Sequence, residues 1–221
     1  MFGIAAVAIA LLSSISLGVA LRWRQIAVRW QGKKIAILGQ RGVGKTHLCA
    51  FLGTGSIPET IPQTISPAKV PARRFQLKEL HLNLKRTLDL PGSKDSYKEW
   101  EKLVNHDDLV FYLFRVDRVI TNHQESESRF IEDLQNIGAW LDHRGKAPPR
   151  LFLVGTHCDL DPNYSLIGEL TNNYKDAFCK LPLINMLITK TGLVGTDNIV
   201  IGSLAGLDGT ERLVYEIFRH V

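Results

Sequence analysis

The stretch Gly39-Gln40-Arg41-Gly42-Val43-Gly44-Lys45-Thr46 constrains this chain more than any other. It fits the pattern G-x-x-x-x-G-K-[ST], behind an apolar run that ends at Leu38 and ahead of a helical stretch from His47 to Leu52. The pattern needs that setting. Between a strand and a helix, successive backbone N–H groups turn toward an anion, and glycines let the chain approach it closely. The expectation is a phosphate cradle built from Gly39, Arg41, Gly42, Val43, Gly44, Lys45, Thr46 and His47. Lys45 would reach the outer phosphates, and the Thr46 hydroxyl would bind Mg²⁺.

Hydrophobic patterning carries the loop into a larger design. Lys34–Leu38 reads as the first strand, and Phe75–Leu77 and Leu80–Leu88 read as two more, with Leu80, Leu82 and Leu84 alternating with polar residues. Leu109–Val116 and Leu151–Val154 are nearly continuous apolar runs, as expected of central strands covered on both faces, and Ile199–Leu204 reads as the last strand. Helical periods fall at Tyr97–Asn105, Glu125–Leu141, Leu166–Lys180 and Thr210–His220, with a short piece at Leu183–Leu187. Four prolines make Ser56–Pro71 a loop with an extended exit. Strands alternating with helices predict an α/β fold: a mainly parallel sheet with helices on both faces. In such a sheet ligands bind beyond the carboxyl ends of the strands, where the glycine-rich loop lies.

The amino terminus is a separate hydrophobic system. Phe2–Leu21 holds no charged side chain, and twenty helical residues span ~30 Å, the thickness of a bilayer's hydrocarbon core. Arg22, Arg24, Arg29, Lys33 and Lys34 follow without an acid among them, interleaved with Trp23 and Trp30. Residues 1–21 are therefore expected to be a membrane anchor, 22–32 a basic juxtamembrane linker and 33–221 a cytoplasmic domain. The rival, a cleaved signal peptide, lacks a basic region before its apolar run. Removing those five basic residues from the 27 leaves basic and acidic residues balanced at 22 each, so the net charge of +5 does not imply nucleic acid as a partner. Three cysteines without C-x-x-C spacing argue against a disulfide framework or a zinc site. His81, His106, His123 and His143 show no ligand spacing, and Trp100 and Trp140 fall on helical patterns as core residues.

Three further motifs lie at expected strand ends. Asp89-Leu90-Pro91-Gly92 comes 43 residues after Thr46; its carboxylate can hold Mg²⁺, and Gly92 can offer its N–H to a γ-phosphate. Thr156-His157-Cys158-Asp159 follows one strand and Ser203-Leu204-Ala205 another.

Taken together, these motifs resemble those of the small GTPases of the Ras and Arf group, the P-loop GTPases, over residues 33–221. The resemblance implies GTP and GDP as ligands with Mg²⁺, and a protein partner that senses the GTP-bound state. It implies Mg²⁺ ligation by Thr46, Asp89 and a first-switch threonine. Thr64, 18 residues after Thr46, is the choice there and Thr60 the fallback. It implies that Asp159 reads guanine through paired hydrogen bonds, with Thr156 and His157 in the N/T-K-x-D motif and Ser203, Leu204 and Ala205 in the S-A-K motif. Lys45, Thr64, Gly92 and Arg41 are the residues it points to for catalysis. Two departures stand out. Ser93 replaces the family's water-orienting glutamine, which implies slow hydrolysis. Arg41 occupies a position that is glycine in Ras-type proteins; it either supplies a charge in cis, blocks a partner's arginine, or is a solvated loop side chain. With its amino-terminal span the layout also resembles the β subunits of the signal recognition particle receptor, membrane-bound docking proteins. A non-hydrolysing nucleotide-binding scaffold, an ATPase and an adaptor with a degenerate site are the rival readings.

Overall fold

The structure, a computed structural model, describes residues 33–57, 68–70, 73–77, 80–84, 87–89, 91–145, 147–164, 168–191 and 194–219. The expected membrane anchor and most of its basic flank, together with Thr60 and Thr64, lie outside them. Among the described residues no helix is long and apolar enough to cross a membrane.

The elements follow in the order β1 (Ile35–Gly39), α1 (Lys45–Thr54), β2 (Ala68–Val70), β3 (Arg73–Leu77), β4 (Leu80–Leu84), β5 (Thr87–Asp89), α2 (Tyr97–His106), β6 (Leu109–Arg115), α3 (Val116–Ile120), α4 (Gln124–Asp142), β7 (Arg150–Thr156), α5 (Gly168–Cys179), α6 (Pro182–Met186), β8 (Ile199–Ile201) and α7 (Gly206–Arg219). The main sheet runs β2-β5-β1-β6-β7-β8. Its heart is four parallel strands, β1, β6, β7 and β8. On the other side of β1, β5 pairs in parallel at Ile37 and Asp89, and β2 lies antiparallel on β5 as the edge. A second ladder, β3 with β4, keeps the register of the first: Ala68 faces Asp89, and Arg73 faces Leu84.

Side-chain alternation divides the core into two layers. Ile35, Ile37, Phe111, Leu113, Phe152, Val154 and Val200 point to one face, where Phe51 and Leu52 of α1 and Leu213, Ile217 and Phe218 of α7 cover them. Ala36, Leu38, Val110, Tyr112, Phe114, Leu151 and Leu153 point to the other, against Trp100 and Val104 of α2, Phe130, Leu134 and Ile137 of α4, and Phe178 of α5. Covering on both faces is why β6 and β7 read as unbroken apolar runs.

Several boundaries differ from the sequence expectation. Ala68–Val70 is a strand inside a stretch expected to be loop; three residues between Pro67 and Pro71 pair on one side only, which an edge position tolerates. Val116 starts α3 instead of ending β6, and β8 stops at Ile201, so Ser203-Leu204-Ala205 lies wholly in a loop. Trp100 is fully buried and Trp140 partly, as core residues. His123 caps α4, accepting the Ser126 N–H, whereas His106 and His143 bond back to carbonyls of their own helices. Asp108 accepts the Lys34 N–H at 2.9 Å, joining the starts of β1 and β6.

One polar group lies inside the second layer. Asp133 of α4 is 0 % exposed and accepts hydrogen bonds from Tyr97 Oη (2.5 Å), Tyr112 Oη (2.7 Å) and Arg129 Nε (2.7 Å). Burial, reinforced by this carboxylate, pushes both tyrosine hydroxyls above their ordinary pKa, so both remain donors. Asp133→Ala would strand a guanidinium and two hydroxyls. The expected loss is roughly 3–5 kcal/mol of stability, read from the urea midpoint, with Asp133→Asn losing less.

Candidate functional site

Parallel register gathers the motifs. Gly39 lies beside Leu113, Arg115 beside Thr156 and Gly155 beside Ile201, while Asp89 lies beside Ile37. The segments that leave these strand ends therefore emerge along one carboxyl edge of the sheet, the usual ligand edge of an α/β fold.

The glycine-rich loop runs from β1 into α1. Gly44 caps the helix in the left-handed region (φ 89°), and a Cβ there would come 2.5 Å from Leu204 Cδ1. Only glycine suits both the backbone and the space. Lys45 is 7 % exposed and folds back over the loop, its Nζ donating to the carbonyls of Gly39 (2.9 Å) and Gln40 (2.7 Å). Thr46 and His47 stand in the first turn of α1. His47 Nε2 lies 3.4 Å from Thr210 Oγ1, and burial lowers the His47 pKa. Gly92 packs directly on the same loop: a Cβ on it would lie 2.3 Å from Arg41 N and 2.4 Å from the Gln40 carbonyl carbon. Any side chain at 92 would push the Pro91–Ser93 segment off the loop.

The Thr156 motif is tied to the loop from the other side. Thr156 is fully buried, and its hydroxyl proton is shared between the carbonyls of Val43 (3.0 Å) and Phe114 (3.1 Å). Its oxygen lies 2.8 Å from His157 Nδ1, a donor to it in the Nδ1–H tautomer. His157 turns left-handed (φ 61°, ψ 29°), which starts the tight turn Cys158–Leu160. Burial, and then the charge of Arg115, lowers its pKa, with Asp117 and Asp159 opposing. Ser203 donates to Asp159 Oδ1 (2.5 Å) while accepting the Ala205 N–H (2.9 Å), so the two motifs fix one another. Burial raises the Cys158 thiol well above its ordinary pKa. Among the described residues no group of histidine, cysteine or carboxylate side chains is clustered for a metal.

The structure thus brings together the loop, Gly92, Thr156, His157, Asp159 and Ser203–Ala205. Asp89 ends β5 at the same edge by its backbone, and Thr64 lies outside the described residues. Arg41 is exposed and lines a cavity of about 450 Å³ between the loop, Gly92 and the start of α4, with Arg115, Arg118 and Arg129 also on its walls. Three of those arginines were not singled out from the sequence. Arg115 holds Asp117 through two bonds (3.0 and 2.6 Å). Burial alone would raise the Asp117 carboxyl, but these bonds outweigh it and hold the pKa below the usual carboxylate value. The i, i+2 spacing at a strand end was the available signal for this pair. Gln40, the one loop position left out of the predicted cradle, donates its Nε2–H to the Ser126 carbonyl at 2.9 Å and so joins the loop to α4. No family model and no curated protein matches this chain.

Proposed function

We propose that this chain is a membrane-anchored GTP-binding protein, a Mg²⁺-dependent switch between GTP and GDP states that hydrolyses GTP slowly. The observation that carries the reading is the junction at the loop's far end. Thr156 bonds the loop carbonyl of Val43 at 3.0 Å, and three residues on, Asp159 is oriented by Ser203 at 2.5 Å. A loop suited to phosphates is thereby joined to a carboxylate aimed by its neighbours, the arrangement a guanine N1–H and N2–H pair would use. Such a site rejects an analogue that leaves its polar groups unpaired.

The residues fit the ligand chemically. The buried Lys45 ammonium already satisfies loop carbonyls, and Thr46, Asp89 and Thr64 are hard oxygen donors of the kind Mg²⁺ takes. Mg²⁺ would neutralise charge on the β- and γ-phosphates. Ser93 is exposed and too short to orient a water as a glutamine does, which favours slow turnover. The same feature favours a second reading, a docking subunit that binds nucleotide without hydrolysing it.

Full-length protein in detergent should retain guanine nucleotide through purification and release labelled GTP to unlabelled GTP but not to ATP. Single-turnover hydrolysis should proceed on the order of 10⁻⁴ per second. Equal competition by ATP would sink the guanine reading, and a rate of zero with intact binding would favour the docking subunit.

A further inference from the structure

The segment after Gly92 is fastened to one face of α4 at successive turns. Arg129 Nη2 donates to the Gly92 carbonyl (3.4 Å), Lys94 Nζ meets Glu132 Oε2 (2.6 Å), and Tyr97 Oη donates to Asp133 (2.5 Å). One turn before Arg129, Ser126 accepts the bond from Gln40 of the loop. Positions 126, 129 and 133 recur at helical spacing, so the loop and the Gly92 segment grip the same stripe of α4.

Arg129 is central to this arrangement because its fork serves two masters. Its Nε is held at 2.7 Å by Asp133, itself locked by the Tyr97 and Tyr112 hydroxyls, and its guanidinium lies 5.3 Å over the Tyr97 ring. Fixed from behind, the other arm reaches Gly92. Lys94–Glu132 is exposed, and a pair of that kind contributes little.

We propose that Arg129 is a positioning residue that holds Gly92 against the phosphate loop and thereby sets the preference for a nucleoside triphosphate over a diphosphate. The inference rests on the switch reading above. Gly92 is the residue expected to offer its N–H to a γ-phosphate, and it already packs on the backbone of Gln40 and Arg41. A segment pre-placed there has less ordering left to do when the γ-phosphate arrives, and a diphosphate gains nothing from it. Gly92 and Arg129 border one cavity, together with Gln40 and Arg41 of the loop.

The test is Arg129→Lys in the full-length protein. Lysine can still pair with Asp133 but has no second arm for Gly92. Affinity for a non-hydrolysable GTP analogue should fall at least about fivefold while affinity for GDP stays within about twofold. Amide exchange from Ser93 to Tyr97 should quicken without nucleotide, and Lys94→Ala should leave the affinity ratio unchanged. A wild-type ratio in R129K would overturn the inference, as would an equal loss for both nucleotides, the mark of a merely structural role. A wild-type chain that binds neither nucleotide would sink the switch reading and this inference with it.

Discussion

Lys45→Ala is expected to remove GTP and GDP binding, lowering affinity at least about 100-fold, or ~2.7 kcal/mol. The Lys45 ammonium is nearly buried, bridges the Gly39 and Gln40 carbonyls, and is the side-chain cation expected on the outer phosphates. Charge-assisted bonds of this type are the strong ones, and alanine leaves phosphate charge without a partner. The fold should survive, because the hydrophobic layers on either side of the sheet do not depend on Lys45. Titration calorimetry with GDP, alongside the thermal midpoint, separates the two effects. Unchanged affinity would remove the phosphate assignment, and a collapsed midpoint would show that the loop carbonyls need the ammonium for folding.

The second large effect is expected at Asp159. A carboxylate presents two acceptors to guanine N1–H and N2–H, whereas asparagine presents one acceptor and one donor. Asp159→Asn should therefore weaken GTP at least about 100-fold and favour xanthosine triphosphate, whose O2 accepts where guanine donates. The surrounding structure should tolerate the change, since asparagine Oδ1 can still accept from Ser203, which Asp159 does at 2.5 Å. Competition of both triphosphates against a fluorescent guanine nucleotide reads the swap directly. If the variant loses GTP without gaining xanthosine triphosphate, Asp159 supports the turn but does not read the base.

The glycine-rich loop was legible because its pattern is local. Glycines, a lysine and a threonine at fixed spacing between a strand and a helix need no distant residue to be recognised. The central strands were legible for a related reason: burial on both faces leaves no polar position, so Leu109–Phe114 and Leu151–Val154 announce themselves. Thr156, Asp159 and Ser203 were visible as candidates at strand ends. Their bonds to Val43 and to each other span 113 and 44 residues of chain. Local sequence says nothing about such distances.

Other features were hidden for identifiable reasons. The strand Ala68–Val70 sits between two prolines, and local breaker signals outweigh the tertiary pairing that makes it an edge. Arg129 and Asp133 could be read as an i, i+4 pair on a helix, an arrangement usually exposed and weak. What turns that pair into a buried junction is the arrival of Tyr97, 36 residues before Asp133, and Tyr112, 21 residues before it.

By itself, then, the sequence determined the alternation of strands and helices and the place of the glycine-rich loop between the first strand and the first helix. Periodicity, glycine spacing and run length are properties of neighbouring residues. Only the tertiary structure decided that Gln40 and Gly92 face a common helix, that Arg129 is pinned by a buried carboxylate, and that Ser203 orients Asp159. Those contacts form when strands far apart in the chain settle into one parallel register, and that register follows from packing two hydrophobic faces at once.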